Sequence, residues 1–220
     1  MTTHGNIIEL RRTESEVHVA DFAHIAWDRA PAVHLTHYYS GEEAPPHRHA
    51  EARLLWTWAG LHVRFQCPQS ESLIINDNLQ AKTKTVGLWD RDVCEIFVAP
   101  DAEIPEHYFE FEAAPTGEWL DLEIDWKPDG RLTNWEYASG MKAAGIIGDG
   151  EIMIAMHLPW AAFGREPQTG DEWRINLFRC VGRDTEQDVR GHLAWQPTYA
   201  AQPNFHVPGV FGWLRFSYKR

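Results

Sequence analysis

The stretch VGLWDRDVCEIFVAP, residues 86–100, sets Trp89 beside Asp90 and Asp92 just ahead of an apolar run that carries Glu95. A tryptophan at such a strand-loop junction can project its ring into solvent. A second junction of this kind is Trp195, in a segment over 191–216 that also holds His192, Phe205 and His206. A sugar ring carries axial C–H groups on its faces and hydroxyls around its rim, so two flat aromatics with carboxylates and amides nearby match it. Either tryptophan alone would serve equally as a lip residue packed on its own loop; the pair is what points to stacking on a saccharide.

A second constellation is acidic. In YFEFEAA and EWLDLEI, joined by Pro115-Thr116-Gly117, apolar and acidic residues alternate with period two, the pattern of half-buried antiparallel strands. Phe109 and Phe111 then oppose Glu110 and Glu112 across one strand, and Leu120, Leu122 and Ile124 oppose Asp121 and Glu123 across the next. Pairing of the two strands is expected to gather four carboxylates on one face. Like charges across a strand pair are destabilising, so that face calls for water, arginines, a cation or a hydroxyl-rich ligand. Calcium needs six to eight oxygens, and no loop here supplies that set. Paired carboxylates among Glu95, Glu110, Glu112 and Asp121 also raise glycoside hydrolysis as an alternative.

Other catalytic chemistry is poorly represented. His34, His37, His47 and His49 lie close in sequence, but no third metal ligand is specified. The chain contains no His-Glu-x-x-His, no Gly-x-Ser-x-Gly and no phosphate-cradling glycine loop. Cys67, Cys94 and Cys180 fall in separate strand-like stretches without zinc spacing, which reads as reduced, buried thiols.

The elements that must position these residues are short strands. Two apolar runs over 53–67 flank Ala59-Gly60 as a hairpin, a strand follows over 93–98, and EIMIAMHL, EWRINLFRCV and GWLRFSY supply three more. PWAAFG is the one clear helical turn, started by Pro159 and stopped by Gly164. The stretches over 40–50 and 183–210 read as loops decorating the fold. Many short strands with almost no helix argue for an all-β domain, two antiparallel sheets packed face to face in an immunoglobulin-like or jelly-roll-like sandwich. At 220 residues, 44% of them hydrophobic, the chain is expected to form a single domain over 1–220.

Charge narrows the partners. A net charge of -12 with scattered basic residues disfavours nucleic acid and anionic membrane. No apolar stretch reaches the length of a membrane span and the first residues lack a secretory pattern, so a cytoplasmic location is expected unless a leader has been trimmed. Eleven tryptophans are more than one core readily hides with every indole N–H satisfied, which again suggests a surface that uses some of them.

At these residues the chain resembles the family 9 carbohydrate-binding modules. The carrying pieces, in family order, are RLLWTWAGLHVRFQC, LWDRDVCEIFVAP, YFEFEAAPTGEW, HLPWAAFG, and AWQPT followed by FHVPGVFGWLRF, spanning roughly 20–217. The resemblance implies a β-sandwich whose sugar site is a slot between Trp89 and Trp195, with Glu95 gripping hydroxyls and Asp92 shaping the loop beneath Trp89. Where some members carry a basic residue this chain has Glu112, so its hydrogen-bond pattern differs. Phe205 and His206 are expected at the rim. A saccharide or oligosaccharide end is the expected partner, held without catalysis, with no cofactor required and calcium as a structural option without assigned ligands. Two readings stand beside this one, a small glycan hydrolase and an interaction module that has lost the sugar; a haem site finds no second axial ligand to join His157 or Met156.

Overall fold

The computed structural model describes residues 6–76, 83–183 and 190–217. Its strands are β1 (Ile7–Arg11), β2 (Ala32–Leu35), β3 (His37–Tyr38), β4 (Ala50–Trp56), β5 (Gly60–Pro68), β6 (Val93–Ala99), β7 (His107–Ala113), β8 (Trp119–Lys127), β9 (Gly130–Asn134), β10 (Lys142–Ile147), β11 (Glu151–Pro159), β12 (Glu172–Arg183), β13 (Arg190–Ala194) and β14 (Gly212–Ser217). One sheet runs β1-β14-β12-β6-β7-β8-β9, with β13 beside β12 and β3 beside β13, and the other runs β10-β11-β5-β4-β2. The two face each other as a sandwich. The ladders of the strands named here are antiparallel except β1 with β14, which is parallel.

The expected strands are present because their turns and alternation agree. The β4–β5 hairpin closes through Thr57 N–H donating to Gly60 O at 3.0 Å. Gly60 lies so close to β11 that a Cβ there would sit 2.1 Å from the Leu158 carbonyl oxygen, which reserves the position for glycine. Between β7 and β8 the turn is made by Gly117 at φ 86°. The anticipated helical turn is a 3-10 turn at Trp160–Phe163, and the structure adds a one-turn α-helix, α1 (Ala26–Arg29). The two expected loop regions are more ordered than anticipated. A 3-10 turn at Pro46–Arg48 occupies the first and β13 lies within the second, whose residues 184–189 fall outside the described ones. Among the described residues no helix is long and apolar enough to cross a membrane.

Strand β6 shows why one sheet carries two apolar clusters. Cys94, Ile96 and Val98 point between the sheets and pack with Val63, Phe65 and Cys67 of β5. Val93, Phe97 and Ala99 point the other way, into a second cluster with Tyr108, Leu120, Leu122, Ile124 and Phe178. That outer face is covered by the chain between β13 and β14: Phe205 stacks on Phe178 with centroids 4.1 Å apart, and Phe211 packs edge-on against Tyr108. Each large apolar side chain so buried contributes about 1.5–3 kcal/mol, so the cover is a substantial part of the domain's stability.

The acidic hairpin departs from expectation. In β7–β8, Glu110 lies opposite Leu122, Glu112 opposite Leu120 and Phe111 opposite Asp121. The four carboxylates therefore do not share a face. Glu110 and Glu112 go to the outer face with the leucines, where β6 brings Glu95 opposite Glu112, while Asp121 goes to the other face, 2.9 Å from the Lys84 ammonium and accepting from Ser139 N–H at 2.6 Å. The turn sets this register, and a one-residue slip would exchange the faces.

At one end of the sandwich, Arg179 on β12 is buried and donates to the carbonyls of Arg48, His49 and Pro68 and to Gln69 Oε1, at 2.6 to 2.8 Å. Through these four bonds from Nη1 and Nη2 the buried guanidinium ties the nine-stranded sheet to the β4 and β5 ends of the other. Cys67 and Cys94 face each other across the sandwich with sulfurs 3.9 Å apart and unbonded. All three thiols are buried, so none is expected to react rapidly with Ellman's reagent in the native protein, and all three should react at once in denaturant; a fast-reacting thiol in the folded chain would contradict this packing.

Candidate functional site

On the outer face of the nine-stranded sheet the apolar cover is incomplete, and the gap is a cavity of about 520 Å³. Its walls are tryptophans. Trp89 sits on the 3-10 turn Leu88–Asp90, started by Gly87 in the left-handed region at φ 82°, and Trp135 follows β9. Their ring centroids are 6.3 Å apart with planes inclined at 51°, which makes an open aromatic corner, and both rings are more than a third exposed. Arg190 holds the Trp89 turn by donating through Nη2 to the carbonyl oxygens of Trp89 and Arg91. Phe97, Glu95 and Glu110 lie at the inner end, and Arg131, Arg190, His192, Asn204, Phe205 and His206 are among the other lining residues.

Beneath this aromatic corner lies an unusual group. One carboxylate oxygen from each of Glu95, Glu110 and Glu112 lies within 4.8 Å of the other two, and all three residues are buried. At that separation two ionised carboxylates repel by roughly 3.5 kcal/mol at an effective dielectric constant of about 20. Burial, then repulsion from Glu110, pushes the Glu95 carboxyl up to about 8; burial pushes Glu110 up to about 7 against a hydrogen bond from Glu112 and the nearby charge of Arg131; and burial, then repulsion from Glu95 and Glu110, holds Glu112 well above the usual carboxylate range. The histidines nearby do not compensate. His206 is pushed down to about 3 and His192 to about 4, chiefly by burial, so both are neutral at pH 7. His206 Nδ1 instead hydrogen-bonds the Tyr108 hydroxyl at 2.9 Å, which fastens the C-terminal loop to β7.

Set against the residues singled out from sequence, the structure brings Trp89, Glu95, Phe205 and His206 to one cavity, and His192 with them. Glu112 lies at its inner end, beneath the lining side chains. Two assignments are displaced. Trp195 does not line the cavity: it packs against the inter-sheet core, with its ring edge over Gly212, where a Cβ would come within 2.5 Å of the indole. Asp92 is buried away from the lining and clamps a loop junction, accepting from Ile74 N–H at 2.9 Å and from Gly182 N–H. Trp135, Arg131 and Arg190 were not singled out, because edge strand β9 and the chain around β13 give no strong local pattern. The histidines of the 34–49 region are not gathered at a metal: His49 Nε2 lies 2.7 Å from the Ala44 carbonyl and His47 meets Glu71 at 3.4 Å.

Comparison with known proteins adds an independent finding. The profile of the family described as carbohydrate family 9 binding domain-like matches residues 22–218. A curated relative from Arthroderma benhamiae, named only as an extracellular protein, is 24% identical over 173 residues, 72% of this chain and 74% of that protein. Among solved structures, a Bacteroides uniformis protein provisionally described as carbohydrate-binding superposes with a TM-score of 0.73 at 17% identity, covering 96% of this chain and 99% of its own. A family 9 carbohydrate-binding module from Caldicellulosiruptor kristjanssonii, solved with cellotriose, gives 0.66 at 12% identity over 97% of this chain and 95% of its own. Its complex with glucose gives 0.63 at 11%, over 96% and 97%. At these identities the structural likeness speaks for the fold.

The acidic floor has a measurable cost. Carboxyls raised above their unfolded range are favoured in the protonated form, so the folded state binds more protons than the unfolded one, and stability falls as pH rises from about 4.5 to about 8. Removing one charge as Glu112→Gln should therefore raise the melting temperature at pH 8 by about 3 °C, equivalent to about 1 kcal/mol, in chelator-containing buffer. The gain should shrink toward pH 5; a variant less stable than the parent at pH 8 would show that the carboxylate is needed there.

Proposed function

The chain belongs to the carbohydrate family 9 binding domain-like family, and on that premise we propose that the Trp89–Trp135 cavity is a non-catalytic site for a mono- or oligosaccharide end. The observation that carries this reading is the exposed aromatic corner set above carboxylates in one cavity of about 520 Å³, within the range that holds small ligands. The indole faces offer apolar area to the C–H groups of a sugar ring, and Glu95, Glu110, Arg131, Asn204 and His192 offer donors and acceptors to its rim. The cavity is bounded by the C-terminal loop at Phe205 and by the turn after β9, a shape suited to the end of a chain.

The placement of the carboxylates favours binding over glycoside hydrolysis. A retaining pair stands about 5–5.5 Å apart and an inverting pair about 6.5–9.5 Å, because the scissile bond and its nucleophile must fit between them. Glu95, Glu110 and Glu112 approach within 4.8 Å, on one side of the cavity. Of the four carboxylates that could make such a pair, only Glu95 and Glu110 line the cavity, while Glu112 lies beneath the lining and Asp121 on the other face of the sheet.

Glucose and short glucose oligomers are the first ligands to test, given those of the Caldicellulosiruptor module. Tryptophan fluorescence titrations should show saturable binding that Trp89→Ala and Trp135→Ala each weaken by roughly 30-fold, about 2 kcal/mol. Trp195→Ala should leave affinity within about threefold while lowering the melting temperature by about 5 °C, as expected for a packing residue. Affinity lost in Trp195→Ala with the fold intact, and kept in Trp89→Ala, would move the site to the other face of the sheet.

A further inference from the structure

Among the described residues, six acidic side chains are buried: Asp92, Glu95, Glu110, Glu112, Glu118 and Asp121. Three of them are matched. Asp92 accepts from two backbone N–H groups. Glu118 meets Arg91 at 3.2 Å and accepts from Asn76, Thr85 and Thr116. Asp121 meets Lys84 at 2.9 Å and accepts from Ser139 N–H. Glu95, Glu110 and Glu112 have no such partner.

No lysine or arginine among the described residues forms an ion pair with this triad. Its nearest base, His206 Nδ1 at 3.9 Å from Glu110 Oε2, is engaged with Tyr108. Glu95 Oε1 has only the weak Cys180 thiol at 3.5 Å. Arg131 and Arg190 line the same cavity and attract Glu110 and Glu95 from beyond ion-pair distance, which offsets part of the burial cost without pairing either carboxylate, and Arg190 directs Nη2 to main-chain oxygens at the Trp89 turn. Glu112 is the sharpest case: it is fully buried, and neither of its carboxylate oxygens has a donor beyond a proton shared with Glu110.

We propose that Glu95, Glu110 and Glu112 together hold a hard divalent cation of calcium's size at the inner end of the cavity. Carboxylate oxygens are the ligands such ions select, and two oxygens on opposite sides of a calcium ion lie about 4.8 Å apart. The triad's oxygens fall within that span, so one ion can reach all three. Three carboxylates supply at most six oxygens, and the open side, where Glu95 and Glu110 face the cavity, admits water to complete the shell. Strands β6 and β7 fix all three ligands in adjacent registers, Glu95 opposite Glu112 and Glu110 two residues before it. Magnesium, which demands a tighter octahedron and keeps its waters, fits this set less well. The site requires no saccharide and stands or fails apart from the sugar reading.

The full chain, stripped with EDTA and exchanged into metal-free buffer at pH 7.5 without sugar, should be titrated calorimetrically with calcium, manganese and magnesium chlorides. Calcium and manganese should bind at one ion per chain, at least about tenfold tighter than magnesium, and raise the melting temperature by about 5 °C when saturating. Glu112→Gln and Glu95→Gln should each lose more than about tenfold in affinity, while Glu103→Gln, an exposed acid elsewhere, should leave it unchanged. Melting in EDTA establishes that each variant is folded. No binding below about 1 mM by the parent chain, or stoichiometric binding retained in Glu112→Gln, would overturn the proposal.

Discussion

Strand β6 is buried along its whole length on both faces, and a sheet strand in that position cannot leave either side to water. The inner side is closed by the second sheet. The outer side has no third sheet, so the chain between β13 and β14 is folded back across it, led by Phe205 and Phe211. Carboxylates that alternation places on that side are therefore covered as well, and the cavity is the part of the outer face that this cover does not reach. The candidate site and its acidic floor follow from one requirement, the closing of the sheet's second face.

The loop that makes the cover is held by a polar chain. Trp126 Nε1 donates to the Tyr108 hydroxyl at 3.3 Å, and that hydroxyl is paired with His206. The Asn176 side-chain amide exchanges two bonds with the backbone of Gln196, at 2.8 and 2.9 Å, and fixes the point where the chain leaves β13. Trp195, next to that point, turns inward and Phe205, ten residues on, turns outward. The same excursion thus serves both faces of the sheet: its start seals the inter-sheet core and its end borders the cavity.

Much of this was legible in the sequence. The hairpins β4–β5 and β7–β8, strands β6, β11, β12 and β14, and the Trp160 turn were all readable, because each joins a clear alternation to a glycine or proline turn. Strands β2, β3, β9, β10 and β13 were not, being short or at sheet edges, where half-exposed residues blur the period. Trp89 and Glu95 were identifiable from one contiguous motif. Trp195 was misplaced because a strand-loop junction looks the same whichever face its ring takes; the face depends on the Asn176 latch and on Gly212, far away in sequence. Parity explains the acidic hairpin too. The two strands alternate unmistakably, but only the length of the turn decides whether Glu112 pairs with Leu120 or with Asp121, and two-sided burial makes either choice plausible from the pattern alone.

The parallel ladder between β1 and β14 joins Ile7 to Trp213 and Leu10 to Phe216. During synthesis, β1 leaves the ribosome some two hundred residues before β14, its ladder partner among the described strands, exists. Leu10, buried in the finished core, must wait with a bare strand edge while the rest of the domain is made. Closure of the sheet is thus a late event that depends on contacts of very long sequence separation, a topology associated with slow folding. For that interval the nascent chain carries an unpaired edge of the kind other chains can capture, and a holdase that shields β1 would protect it where it is most exposed.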